Sequence, residues 1–216
     1  DLLPFLLRPG ARQANDHSAA ADCNWRSGGA SLPDGLSLQW LGTACFAIAY
    51  EGTTILTDPF VTRCPITEVL RSKPLPSDAE LVDRLLPACD AVLVGHAHFD
   101  HILDLPAVVR RDGCRVYGSK SAHHLLGLFG LAEHGVIATP HEPIEIGPFT
   151  VTFVPSVHSK LLGGLAIPQG GELTCEHTES LTQSAYRCGQ VWGIRIQVAG
   201  ITLYHQGSCD LLEEEI

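Results

Sequence analysis

The amino-acid sequence predicts a layered α/β protein, with two β-rich halves and helices outside them. Strand-like and helix-like patterns alternate through the middle of the chain, and each half carries a hairpin pattern. One short run of consecutive apolar residues also reads as a strand covered on both faces.

The first half begins near Leu36. Leu38-Gln39-Trp40-Leu41 and Ala44-Cys45-Phe46-Ala47-Ile48-Ala49-Tyr50 read as strands, and Glu51-Gly52 turns the chain into the returning strand Thr53-Thr54-Ile55-Leu56-Thr57. Ser77-Asp78-Ala79-Glu80 has the capping-box pattern that opens a helix. Leu81, Val82, Leu85 and Leu86 follow at helical spacing, and Pro87 ends it. Ala91-Val92-Leu93-Val94 is the doubly covered strand. Helices start near Asp104 and Ser119, with the strand Arg115-Val116-Tyr117 between them.

The second half opens with the alternating strand Phe149-Thr150-Val151-Thr152-Phe153-Val154-Pro155. It closes with a hairpin over residues 191–205 that turns at Ala199-Gly200. Residues 159–189 form an irregular stretch with Gly163-Gly164, Pro168 and Gly170-Gly171, and a loop of that length in a compact domain is a functional lid or is disordered. Its Leu161, Leu162, Leu165 and Ile167 are candidates for an apolar pocket wall, and Lys160 and Arg187 for contacts to an anionic group. Residues 1–36 lack periodicity. The expected organisation is an N-terminal arm over 1–36 and one domain over 37–216.

The 216 residues, 45% hydrophobic and 18% charged, are enough for a single buried core and argue against a disordered chain. A net charge of -10 without a basic cluster disfavours nucleic acid as a partner, because backbone binding runs on grouped Lys and Arg. No apolar run reaches the ~18 residues of a transmembrane helix. With Asp1 first and no Met, the expectation is a processed chain or a record that begins part-way, which leaves cytoplasmic and exported locations both open. The eight cysteines show no C-x-x-C spacing, against a zinc ribbon. Cys175 and Cys188 flank a polar loop and are the candidate disulfide should the compartment be oxidising. No G-x-S-x-G occurs, which argues against a nucleophilic serine enzyme.

The chemistry gathers at His96-Ala97-His98-Phe99-Asp100-His101, directly after the buried strand. In an extended segment His96 and His98 point to the same side and can share one ion. A helical turn after them would send Asp100 and His101 toward a second position. Imidazole with carboxylate suits Zn2+, with Mn2+ or iron as the other candidates. His158 ends the strand that begins at Phe149, where a loop starts, a usual place for site residues. Asp58, before Pro59, reads either as an acceptor behind a ligating histidine or as an Asp-Pro turn former.

H-x-H-x-D-H after a buried strand resembles the signature of the metallo-β-lactamase superfamily. Trp40-Leu41-Gly42-Thr43-Ala44 with Thr57-Asp58-Pro59-Phe60 is similar to the branch that holds ascorbate-6-phosphate lactonase and N-acyl-phosphatidylethanolamine phospholipase D. The resemblance runs from about Gln39 to Asp210 and implies an αββα sandwich with one or two metals between the sheets. It implies His96, His98 and His158 at one metal position and Asp100 and His101 at a second. It also implies a bridging Asp after the last hairpin, where this chain has Ser208; Asp210 is the substitute, with Cys209 and His205 as further candidates. The family's last histidine falls beyond Ile216, so the expected domain is incomplete at its C-terminal end. The function implied is hydrolysis of an ester, lactone or phosphodiester in a small or lipid-like substrate, with Asp100 handling protons. The alternatives are a non-catalytic metal-binding protein and an iron-dependent redox enzyme on the same fold. The sequence leaves oligomeric state open.

Overall fold

Side-chain alternation from Ser37 onward builds a meander of β1 (Ser37–Gly42), β2 (Cys45–Tyr50) and β3 (Thr53–Thr57), joined antiparallel. The computed structural model describes residues 31–159, 169–212, 214 and 215. The expected arm lies almost wholly outside the described residues, as do Lys160, Leu161, Leu162, Leu165 and Ile167. From Gly35 onward the described residues form one compact unit.

After β3 come two helices, α1 (Ile66–Leu70) and α2 (Ala79–Leu85). Strand β4 (Ala91–Leu93) then joins β3 in parallel, with Ile55 opposite Ala91 and Thr57 opposite Leu93. A single turn α3 (Phe99–Ile102) and the helix α4 (Leu105–Asp112) lead to β5 (Arg115–Gly118), parallel to β4. Helix α5 (Lys120–Leu128) leads to β6 (Gly135–Ile137), which completes a six-stranded sheet in the order β1 to β6. Strands β7 (Pro143–Ile146), β8 (Phe149–Ser156), β9 (Val191–Val198) and β10 (Ile201–His205) make a second, antiparallel sheet of four.

Period-2 alternation divides the core. Leu56, Val92, Val94 and Val116 face Ile102, Leu105, Val108, Leu125 and Leu126 from the helices, all buried in one cluster. On the other face Phe46 and Ile48 of β2 meet Ile196 of β9 and Leu203 of β10 around a shared cavity of about 170 Å³. The result is an α/β sandwich whose two sheets face each other. Among the described residues the α-helices all belong to the first half, on the outer face of the first sheet.

Three local details differ from the sequence expectation. The capping residue of α2 is Asp78, which accepts from Leu81 N, and not Ser77, because the Ser77 hydroxyl is engaged by Asp104. Asp104 stands at the start of α4 but caps nothing. Its fully buried carboxylate accepts from Val61 N at 2.6 Å, Thr62 N at 2.8 Å, Thr62 Oγ1 at 2.6 Å and Ser77 Oγ at 2.6 Å, and so pins the chain after β3 to the helical layer. Cys175 and Cys188 are both free thiols. Cys188 packs with Val191 and Cys209, whereas Cys175 lies against the main core, so the two belong to different clusters.

Candidate metal centre

The first sheet delivers its side chains at the end of β4. Glycine keeps position 95 close to Asp58: an added Cβ would lie a tight 3.1 Å from Asp58 Oδ2, and the Gly95 amide itself donates to Asp58 Oδ1 at 2.7 Å. His96 follows, and His98, in extended backbone, is the residue from which α3 starts. The second sheet delivers His158 from the end of β8, where its backbone bridges to Cys209. The loop after β10 is thereby held against the same corner.

His96, His98 and His158 each offer a ligand atom within 4.8 Å of the others. Their rings form a nearly equilateral triangle, with centroids 4.7, 4.8 and 5.0 Å apart. His96 Nε2 and His98 Nδ1 are 3.0 Å apart, and His158 Nδ1 donates to Ser159 O at 2.8 Å, which leaves Nε2 of that ring to carry a lone pair. Two imidazole nitrogens at 3.0 Å repel unless a proton or a cation sits between them. Burial, then the neighbouring charge of His101, holds His96 well below its ordinary pKa. Burial and His158 hold His98 down at about 4. Protonation of His96 and His98 is therefore disfavoured, and three converging imidazoles suit a borderline cation such as Zn2+.

Helix α3 turns Asp100 and His101 to a position beside the triangle. The His101 ring lies 3.9 Å from the His96 ring, centroid to centroid, and Asp100 Oδ2 is 3.8 Å from His101 Nε2. Ser208 Oγ stands 3.2 Å from the same Nε2, where the resemblance implies the bridging Asp. Asp210 does not converge on the three histidines. Its backbone pairs with Val157, and its carbonyl accepts from Ser156 Oγ at 2.5 Å. Cys209 is buried against Cys188 and Val191.

Behind the histidines lies Asp58, fully buried and at a left-handed φ of +37°. Besides Gly95 N, it accepts from His205 Nε2 at 2.9 Å, and its Oδ2 is 3.1 Å from His101 Nδ1, a contact out of line for a straight hydrogen bond. Burial alone would raise this carboxyl, but His101 and His205 more than offset it and hold Asp58 well below the usual carboxylate range. Burial likewise opposes a charge on His101, and Asp58 overcomes it, raising that histidine above its ordinary value. His205, on the inner face of β10 opposite Ile194, was legible only as a spare ligand; the structure aims it at Asp58 instead. Gly207 takes φ +55°, and an added Cβ there would crowd His205 and Asp58. An open cavity of about 450 Å³ adjoins this corner, bordered by Thr43, Phe46, Tyr204, Gln206 and Ser208.

Two facing sheets with a histidine triangle at their common edge define a metallo-β-lactamase-type chain. Sequence comparison agrees: residues 37–215 match the family described as the beta-lactamase superfamily domain. This chain belongs to the metallo-β-lactamase superfamily. It is 30% identical over 183 residues to a protein named UPF0173 metal-dependent hydrolase from Anaeromyxobacter sp. (strain K), covering 82% of this chain and 57% of the relative. A protein of the same name from Carboxydothermus hydrogenoformans is 27% identical over 176 residues, covering 82% and 63%. The chain thus spans less than two thirds of these relatives' lengths. Among solved structures the fold is shared with Igni18, a metallo hydrolase from Ignicoccus hospitalis, at TM-score 0.54 and 21% identity, covering 83% of this chain and 63% of that one. It is also shared with CmlA, a diiron β-hydroxylase from Streptomyces venezuelae, at TM-score 0.51 and 19% identity, covering 88% and 34%.

Proposed function

We propose that this chain is a metal-dependent hydrolase acting on an ester, lactone or phosphodiester, with the ion at His96, His98 and His158. The observation that carries the reading is the convergence of those three imidazoles within 4.8 Å. The relatives named metal-dependent hydrolases support it. Zn2+ fits the donor set, with Mn2+ and iron as alternatives. A cation held there would lower the pKa of a water toward neutrality and polarise the scissile bond.

The chain's own residues supply the rest. Asp100, with a side chain 41% exposed, sits beside the triangle and is free to take a proton from the attacking water and return it to the leaving group. Asp58 holds His101 in place from behind, the role that carboxylates play at histidine sites. The 450 Å³ cavity at Ser208 gives room for a small acyl or phosphoryl group.

Elemental mass spectrometry of protein purified without chelator, together with turnover of ester and phosphodiester probes, tests the assignment. His98→Ala should lose the metal. Asp100→Ala should keep it at the histidine triangle and lose rate by about a hundredfold or more. Near-native turnover in either variant removes the proposal.

A further inference from the structure

Away from the metal centre, two thiols meet where the ends of α2 and α4 feed the first sheet. Cys89 precedes β4, Cys114 precedes β5, and both lie in the core cluster beneath the helices. We propose that Cys89 and Cys114 are a modification site: a dithiol that hydrogen peroxide oxidises to a reversible disulfide, which braces the segment carrying residues 96–101.

The strand pairing brings the two together. β4 and β5 run parallel with Ala91 opposite Arg115, so Asp90 comes beside Cys114 and Cys89 is one residue further back. The thiols stand within hydrogen-bond reach of each other, with Cys89 as donor. That bond, then burial, pushes the Cys89 thiol up. The same bond holds Cys114 below the ordinary thiol range, which makes Cys114 the nucleophile of the pair.

The chain on either side is already tied. Asp112 Oδ2 accepts from Cys89 N at 3.1 Å and from Cys89 Sγ at 3.4 Å. Arg111 grips the same carboxylate, Nε to Oδ1 at 2.7 Å and Nη2 to Oδ2 at 2.8 Å, and donates to the carbonyls of Val82, Leu86 and Pro87 at the end of α2. A disulfide tolerates little error in the placement of its two Cα atoms. Here a carboxylate and a guanidinium hold the two joints together before any bond forms. Cys89 is 7% exposed and Cys114 4%, which shuts out a protein disulfide and admits an oxidant of about water's size.

The oxidation balances with one peroxide. Cys114 sulfur attacks a peroxide oxygen, the O–O bond breaks, and Cys114 becomes a sulfenic acid as the first water leaves with the thiol proton. Cys89 sulfur then bonds to Cys114 sulfur, the S–O bond breaks, and the second water carries off the Cys89 proton. The closed loop holds β4, α3 and α4, and a loop of about 25 residues should raise Tm by roughly 5–15 °C.

The full chain, as purified, is treated with hydrogen peroxide, quenched with catalase, and read by intact mass, non-reduced peptide mapping and thermal melting. The chain has no Met to take up oxygen and confuse the mass. The expected result is one cross-linked peptide pair holding Cys89 and Cys114, with the rise in Tm, both reversed by dithiothreitol. Cys64 and Cys175, less buried, are the internal controls and should stay unpaired. Cys89→Ala and Cys114→Ala should each abolish the cross-link and the rise. No cross-link, a bridge between other cysteines, sulfinic acid at Cys114 in its place, or a Tm that is unchanged or lower overturns the proposal. Should a variant fail to fold, the peptide map and melt of the wild-type chain decide alone.

Discussion

Asp104 offers a perturbation whose size can be worked out from its contacts. Removing the carboxylate in Asp104→Ala leaves the amides of Val61 and Thr62 buried without an acceptor. Each orphaned amide costs about 1–3 kcal/mol, so the pair costs about 4 kcal/mol. The Thr62 and Ser77 hydroxyls suffer less: they can turn elsewhere, and Thr62 Oγ1 already accepts from Asp78 N at 2.8 Å. Asp104→Asn is the discriminating variant. Its carbonyl oxygen can take both amides, while its NH₂ faces two hydroxyls that rotate to accept. What is lost is the extra strength of a charged acceptor, about 1 kcal/mol. In a chain of this size 1 kcal/mol moves Tm by about 2–4 °C. Ala should therefore lower Tm by about 8–16 °C and Asn by about 2–4 °C. Urea denaturation at pH 7 with unchanged m-values measures the same gap as free energy. If Asn costs as much as Ala, or Ala costs under about 1 kcal/mol, the four-donor account of Asp104 is wrong.

Other outcomes follow from the centre. Asp58→Asn keeps a side chain that tolerates the left-handed backbone but loses the charge between His101 and His205. Its Zn2+ affinity should fall about ten- to a hundredfold by competition with a chromophoric chelator; unchanged affinity would reduce Asp58 to a turn former. The acid behaviour of the metal-free protein carries a sign. His98 is held at about 4 against an ordinary 6.5, so its neutral form contributes stability fully present above about 6.5 and lost as pH falls toward 4. The stability difference between wild type and His98→Gln should shrink over that window in urea melts, and a difference that grows on acidification contradicts the assignment. Because protons compete poorly for His96 and His98, a bound ion should be retained down to about pH 5, as dialysis followed by elemental analysis would report.

Much of the scaffold was legible because its signals are local. The β2–β3 hairpin, the β9–β10 hairpin and β4 stand at their expected places, since period-2 alternation or a continuous apolar run marks each within a few residues. The dense histidine motif made His96 and His98 visible, and the strand end made His158 visible. The short elements α1, β6 and β7 escaped: each carries neither a clear period nor the continuous apolar run that marks β4. Asp104 escaped for another reason. Its partners lie 27 to 43 residues away, so the sequence shows only a residue that favours helix starts. The pairing of His205 with Asp58 spans 147 residues and has no local trace. Ser208 stands in sequence where the resemblance implies the bridging Asp, and in space its hydroxyl lies 3.2 Å from His101 Nε2.

The strand order has a kinetic consequence. In both sheets every strand is bonded to the strand next to it along the chain. The hairpins among them, β1–β2, β2–β3, β7–β8 and β9–β10, close tight turns and form early in folding at low entropic cost, whereas the parallel pairs β3–β4, β4–β5 and β5–β6 and the β8–β9 pair wait on longer connections. The centre, in contrast, joins residues 107 and 147 positions apart. It comes into being only when two already hydrogen-bonded sheets dock. A refolding chain should regain its far-ultraviolet dichroism before it regains the capacity to bind an ion, and the lag between the two signals times that docking step.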